Sequence, residues 1–132
     1  MYFRFNRKFK TMKNIESFRV YCLTKPGVEE SFPFDQDTLV FKVMGKMFAL
    51  TGLEAEDFKV NLKCNPERAL ELRAHYPDEI LPGFHMNKKH WNTVHFEGTL
   101  PEKLLKELTD HSYDLVVSGL SKKDKKELSK LK

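Results

Sequence analysis

The segment His85 to Phe96, HMNKKHWNTVHF, gathers the only tryptophan of the chain with three histidines, two asparagines and a lysine pair. Such side chains offer ring stacking, hydrogen bonding and cation–phosphate contact rather than an evident reaction. Read as a strand, Trp91 to Phe96 sends Trp91, Thr93 and His95 to one face and Asn92, Val94 and Phe96 to the other. Val94 and Phe96 select the core side. Trp91 is then expected beside Thr93 and His95 on a partly exposed face, where an indole can stack on a ligand, with Lys88 and Lys89 in the loop that leads in. The plainer alternative is a Trp91 that covers one end of the core and bonds a neighbour through its indole N–H.

A second polar set lies on Phe58 to Cys64, where Phe58, Val60, Leu62 and Cys64 share one face and Lys59, Asn61 and Lys63 the other. A lysine–asparagine–lysine face is most often simple solvent exposure. Lys42 or Lys46 on a neighbouring strand would make it a patch. Nothing points to catalysis: no G-x-S-x-G, P-loop or H-E-x-x-H is present, and the chain reads as a non-enzyme. His85, His90 and His95 fall on alternating faces if extended, which is poor geometry for one metal. Cys22 and Cys64 have no short spacing and read as small core residues in a reducing cytoplasm, so no metal or cofactor is expected.

The elements that must position these groups are legible from caps and periodicity. Asn14 is a suitable N-cap for a helix with Ile15, Phe18 and Cys22 on one stripe, ended by Pro26-Gly27. Val28 to Phe34 reads as a strand that Pro33 confines to an edge. Thr38 to Val43 and Lys46 to Thr51 form a hairpin through Met44-Gly45. Asn65-Pro66 opens a second helix with Ala69, Leu72 and Tyr76 buried, and Pro77 stops it. Asp78 to Gly83 reads as a connecting loop. Thr99 to Glu102 has the form of a capping box, followed by a long helix that runs to about Ser118 or breaks near His111. This order predicts an α+β sandwich, with helices on one face of a mainly antiparallel sheet and the other face open.

At 132 residues the chain suits one domain with a core of ordinary size. The division expected is a basic arm over 1–13, a domain over 14–120 and a lysine-rich, solvated tail over 121–132. The formal charge of +4 belongs to the ends, since Asn14 to Leu120 carries 12 basic against 17 acidic residues. The arm is expected to be poorly ordered, and Met12 offers a second start. No apolar run approaches the roughly 20 residues of a membrane span, and charges interrupt MYFRFNRKFK, so a cytoplasmic protein without membrane contact is expected.

Three stretches carry a resemblance. VNLKCNPERALELR (Val60 to Arg73), PGFHMNKKHWNTV (Pro82 to Val94) and LPEKLLKELTDHSYDLV (Leu100 to Val116) resemble the characteristic blocks of the MmcQ/YjbR family of small bacterial proteins. The likeness spans about Ile15 to Leu120. It implies a frataxin/CyaY-like α+β fold with a double-wing sheet, and a DNA-binding role assigned to that family by structural analogy. The matching positions are Asn61, Lys63, Asn87, Lys88, His90, Trp91 and Asn92, with Ser112 and Tyr113 in the last helix. Frataxin-type iron binding does not follow, because the first helix offers little acid beyond Glu16.

The leading expectation is therefore a non-catalytic sheet face that binds nucleic acid. Lys59, Lys63, Lys88 and Lys89 would meet phosphates, Asn61, Asn87 and Asn92 phosphate or base edges, and Trp91 or His90 would stack. The rival is a small-molecule or protein-binding module built on the same cluster. A third reading is purely structural: the asparagines with Ser112 and Tyr113 satisfy buried backbone groups, and Trp91 fills the core. A monomer is expected.

Overall fold

The computed structural model describes residues 11–132. Its elements are α1 (Ile15–Leu23), β1 (Val28–Ser31), β2 (Thr38–Val43), β3 (Lys46–Gly52), β4 (Lys59–Lys63), α2 (Pro66–His75), β5 (Ile80–Pro82), β6 (Trp91–His95), α3 (Glu102–Ser118) and α4 (Lys122–Ser129). The six strands form one sheet in the order β1-β2-β3-β4-β6-β5, with every neighbouring pair antiparallel. Helices pack on one face, giving the two-layer α+β sandwich of the CyaY/frataxin type. No helix among the described residues is long and apolar enough to cross a membrane.

The hairpin between β2 and β3 turns through two residues at positive φ, Met44 at 49° and Gly45 at 81°, the pairing that matches strand twist in a tight two-residue loop. Asn14 caps α1 by accepting from the Ser17 N–H at 2.9 Å, and Asn65 caps α2 by accepting from Glu67 and Arg68. Phe18 on α1 is the hub of the core. Its ring meets Phe41, Phe58 and Phe96 edge-on, with centroids 5.6, 5.7 and 5.2 Å away, the offset geometry that aromatic quadrupoles favour.

Ser112 on α3 is fully buried and joins two strands. Its hydroxyl donates to the Phe48 carbonyl and accepts the Lys63 N–H at 2.9 Å, where β3 and β4 pair over only two positions. Tyr113 donates to the Pro26 carbonyl at 2.6 Å and packs edge-on against Phe48. No buried side-chain nitrogen or oxygen among the described residues lacks a partner.

Four local expectations need correction, and one open alternative is decided. β1 ends at Ser31 rather than Phe34, because Pro33 cannot donate to the ladder. Asp78 to Gly83 contains β5, whose Ile80 is fully buried while Pro82 sits on the outer edge, where its missing N–H does no harm. The capping box does not form: Pro101 occupies the N-cap, Thr99 donates instead to Glu79, and Glu102 receives the Thr11 hydroxyl and the Met12 N–H. Of the two alternatives for α3, the unbroken helix to Ser118 is the one found. The lysine-rich segment is the ordered helix α4, whose Leu128 is 1% exposed and packs onto Gly27. A Cβ at Gly27, which has φ 72°, would lie 2.6 Å from the Leu128 Cδ1, so the glycine is what lets α4 dock. The predicted arm lies outside the described residues except for Thr11 to Lys13, where Met12 is buried in the core.

A candidate binding groove on the open sheet face

The sheet register draws one row across the uncovered face. Val40 pairs with Leu50, Leu50 with Asn61, Asn61 with Thr93 and Thr93 with Leu81. The row is apolar at its ends and polar in its centre. Around it lies a concavity of about 730 Å³, lined among others by Phe34, Met47, Lys59, Phe84, Met86 and His95. Two loops raise its walls: residues 32–37 between β1 and β2, and 83–90 between β5 and β6.

Those walls carry the largest exposed rings of the groove. Phe34 is 64% exposed and Phe84 67%. His85 has φ 61°, an uncommon left-handed conformation for a side-chain-bearing residue, and its ring centroid lies 4.0 Å from that of Phe84. Backbone strain of this kind persists only where the surroundings fix it. Here Gly83 does so: its N–H donates to the Trp91 carbonyl at 2.9 Å, and its own carbonyl accepts from Met86 N–H and from Lys88 Nζ at 3.0 Å.

The sequence-predicted residues divide into three groups. Lys59 lines the groove, Lys63 lies opposite Trp91 in the β4–β6 ladder, and Lys89 is exposed on the loop; among the described residues none of the three ammonium groups enters a salt bridge. Asn61 and Thr93 form the floor but are bonded internally. Asn61 Nδ2 donates to the Phe84 carbonyl at 3.1 Å, its Oδ1 accepts the Thr93 hydroxyl, and Thr93 Oγ1 accepts the Phe84 N–H at 2.9 Å.

Asn87 and His90 shape the loop, whereas Asn92 and Trp91 lie on β6. Asn87 Oδ1 accepts from the N–H groups of Lys89 and His90, and the His90 carbonyl accepts the Cys64 N–H at 2.8 Å. Asn92 is buried on the helical side, where it accepts from Arg73. The exposed stacking position expected for Trp91 is not found. Its face is the expected one, but it is only 8% exposed, in a small second cluster with Val40 and Leu50 covered by Met47 and Met86. The four apolar side chains around it are enough to bury an indole without a helix.

Sequence reasoning missed Phe34, Phe84 and Arg73. The phenylalanines carried a signal in their flanks, since Phe34 follows Pro33 and Phe84 follows Pro82-Gly83, positions that end strands and leave rings in loops. Electrostatically the rim is uneven. Asp35 is held below its ordinary carboxylate pKa by the N–H groups of Asp37 and then Thr38, and Asp57 lies 3.5 Å from the Nδ1 of His95, the cross-strand partner of Lys59, so acid gathers at the Lys59 end while Lys63 lies at the other end of β4. Among the described residues, no group of three His, Cys, Asp or Glu side chains converges as metal ligands would.

The arrangement has known counterparts. The family model described as YjbR matches residues 23–115. The chain belongs to the YjbR family. It is 37% identical over 111 residues to the uncharacterized protein YjbR of Escherichia coli K12, covering 84% of this chain and 93% of that protein. The uncharacterized protein YbdF of Escherichia coli O157:H7 is 42% identical over 112 residues, with 84% and 90% covered. Among solved structures, Deinococcus radiodurans protein DR2400 superposes with a TM-score of 0.83 at 46% identity, over 89% of each chain. A Pseudomonas syringae protein superposes with a TM-score of 0.64 at 28% identity, over 77% of this chain and 97% of the other. The YjbR match contains β1 to β6, α2 and most of α3, and therefore the whole groove.

Proposed function

We propose that the chain is a non-catalytic DNA-binding protein whose contact surface is the open sheet face with the loop over residues 83–90. One observation carries this reading: Lys59, without an ion-pair partner among the described residues, lines a concavity rimmed by exposed phenyl rings, with Lys63 farther along the same strand face and Lys89 exposed on the loop over 83–90. Free ammonium groups suit phosphates, and exposed aromatic faces suit bases. Because Asn14 to Leu120 is acidic overall, the attraction must come from this local set.

The test is a salt titration of the full chain against labelled DNA. Binding should weaken linearly in log–log form, and Lys59→Ala or Lys63→Ala should reduce the slope by about 1. Absence of salt-dependent binding at low ionic strength rejects the reading. A second reading has an observation of its own, since about 730 Å³ falls within the roughly 300–1,000 Å³ of small-molecule pockets. Thermal stabilisation by a nucleotide or metabolite, without DNA binding, would select it.

A further inference from the structure

We infer that the groove takes single-stranded nucleic acid, seating unstacked bases against Phe84 and Phe34 with no hydrogen-bond readout of their edges. The inference rests on the nucleic-acid reading above and narrows its substrate class. Three observations converge on it.

The first is shape. Reading a duplex requires an element that projects into a groove of the DNA, usually a helix or a two-stranded ribbon. This site is a concavity in a sheet, with the loop over 83–90 folded back onto β6 through the Gly83–Trp91 bond and held at Lys88 by Arg73. A concavity admits a base that has left its stack.

The second is the state of the floor. Asn61 and Thr93, the residues best suited to bond a base edge, are committed to each other and to the Phe84 backbone. Breaking those bonds would undo the loop that presents Phe84. Stacking is what remains, and it tolerates every base because every base has a π-face.

The third is charge complementarity with a single backbone. Among the described residues Lys59, Lys63 and Lys89 form no ion pair; Lys59 lines the groove, Lys63 lies farther along the same strand face and Lys89 is exposed on the loop, while Asp35 and Asp57 bring acid to the Lys59 end. One strand can follow these lysines with its bases turned inward. Two strands would bring phosphates onto Asp35 as well.

Fluorescence anisotropy with the full chain decides the matter, using a labelled dT oligomer of about 12 nucleotides, the same length of mixed single-stranded sequence, the corresponding duplex, and dTMP as competitor. The two single strands should bind within a few-fold of each other and at least about tenfold more tightly than the duplex. Phe84→Ala should weaken strand binding about tenfold and Phe84→Trp should restore it. Phe84 is largely exposed, so its truncation leaves the fold intact, as an unchanged melting temperature will verify. Duplex binding equal to or tighter than single-strand binding overturns this inference and leaves DNA binding standing. Competition by dTMP at the affinity of the oligomer overturns it in favour of a small ligand, and indifference to Phe84→Ala removes the stacking site. No binding of either DNA form at low salt overturns the functional reading itself.

Discussion

Arg73 on α2 donates from Nε to the Oδ1 of Asn92 on β6, 2.7 Å away, and the same guanidinium reaches the carbonyls of Lys88 and Trp91. One side chain thus ties the helical layer to the loop on the other side of the sheet. Asn92 is buried and donates in turn towards the Ala69 carbonyl. Arg73→Ala should lower stability by about 2–4 kcal/mol, since it strands a buried amide oxygen and frees the Lys88 and Trp91 carbonyls. Urea denaturation measures the loss, and amide hydrogen exchange should quicken first at Lys88 to Trp91. Exchange that rises uniformly across the sheet would show that the guanidinium does not secure the loop.

Trp91 and Gly83 depend on one another. A Cβ on Gly83 would sit 2.7 Å from the Trp91 Cβ and 2.9 Å from its carbonyl oxygen, with backbone on one side of the clash. Gly83→Ala should therefore displace the loop, expose the indole and red-shift its fluorescence emission, and an unshifted emission maximum would show that the loop tolerates the added methyl. Trp91→Ala should cost about 3–5 kcal/mol by emptying the second cluster. An unchanged melting temperature in Trp91→Ala would contradict the burial described.

α4 is held by Leu128. Leu128→Ala should destabilise by about 2–5 kcal/mol, whereas the exposed Lys125→Ala should change stability by no more than about 0.5 kcal/mol. Thermal melts of the two variants in parallel distinguish a docked helix from a solvated tail. Equal melting temperatures would restore the tail.

His111 supplies a pH dependence. Its pKa lies below the ordinary 6.5, chiefly because partial burial penalises the cation and secondarily because Arg68 is near; its Nε2 accepts the Asn65 N–H at 3.2 Å. The native state binds this proton less readily than the unfolded chain. The stability it contributes is thus complete above about pH 6.5 and is lost as the pH falls through that value towards the lower native pKa. Taking the protein from pH 7.5 to 5.5 should therefore destabilise the native chain more than His111→Gln. Equal losses in urea denaturation would assign the acid sensitivity elsewhere.

Much of the architecture was legible because local signals agreed with the global pattern. Asn14 and Asn65 announce two helices by cap chemistry, Met44-Gly45 announces a hairpin, and alternation on β4 and β6 places every side chain on its observed face. Where the expectations failed, a distant partner had outbid a local one. Thr99 and Glu102 have the spacing of a capping box, yet Glu79 takes the one, and the Thr11 hydroxyl and Met12 N–H take the other. The lysines of α4 describe only its wet side, and a single leucine decides where it docks.

The site was legible in part for the same reason. Lysine and asparagine types marked the correct strands, but sequence cannot say that the asparagines spend their bonds internally or that Met47 and Met86 close over an indole. Phe34 and Phe84 escaped attention because an isolated phenylalanine in a loop has no periodic neighbours to reveal its setting.

The outermost strands have a consequence for crowded solutions. β1 offers four residues and β5 three, the latter ending in a proline ring that cannot donate. Another copy therefore finds too short a ladder at either margin to template filament growth. Two large rings can stay wet on the sheet of such a molecule without the sheet recruiting more of its own kind.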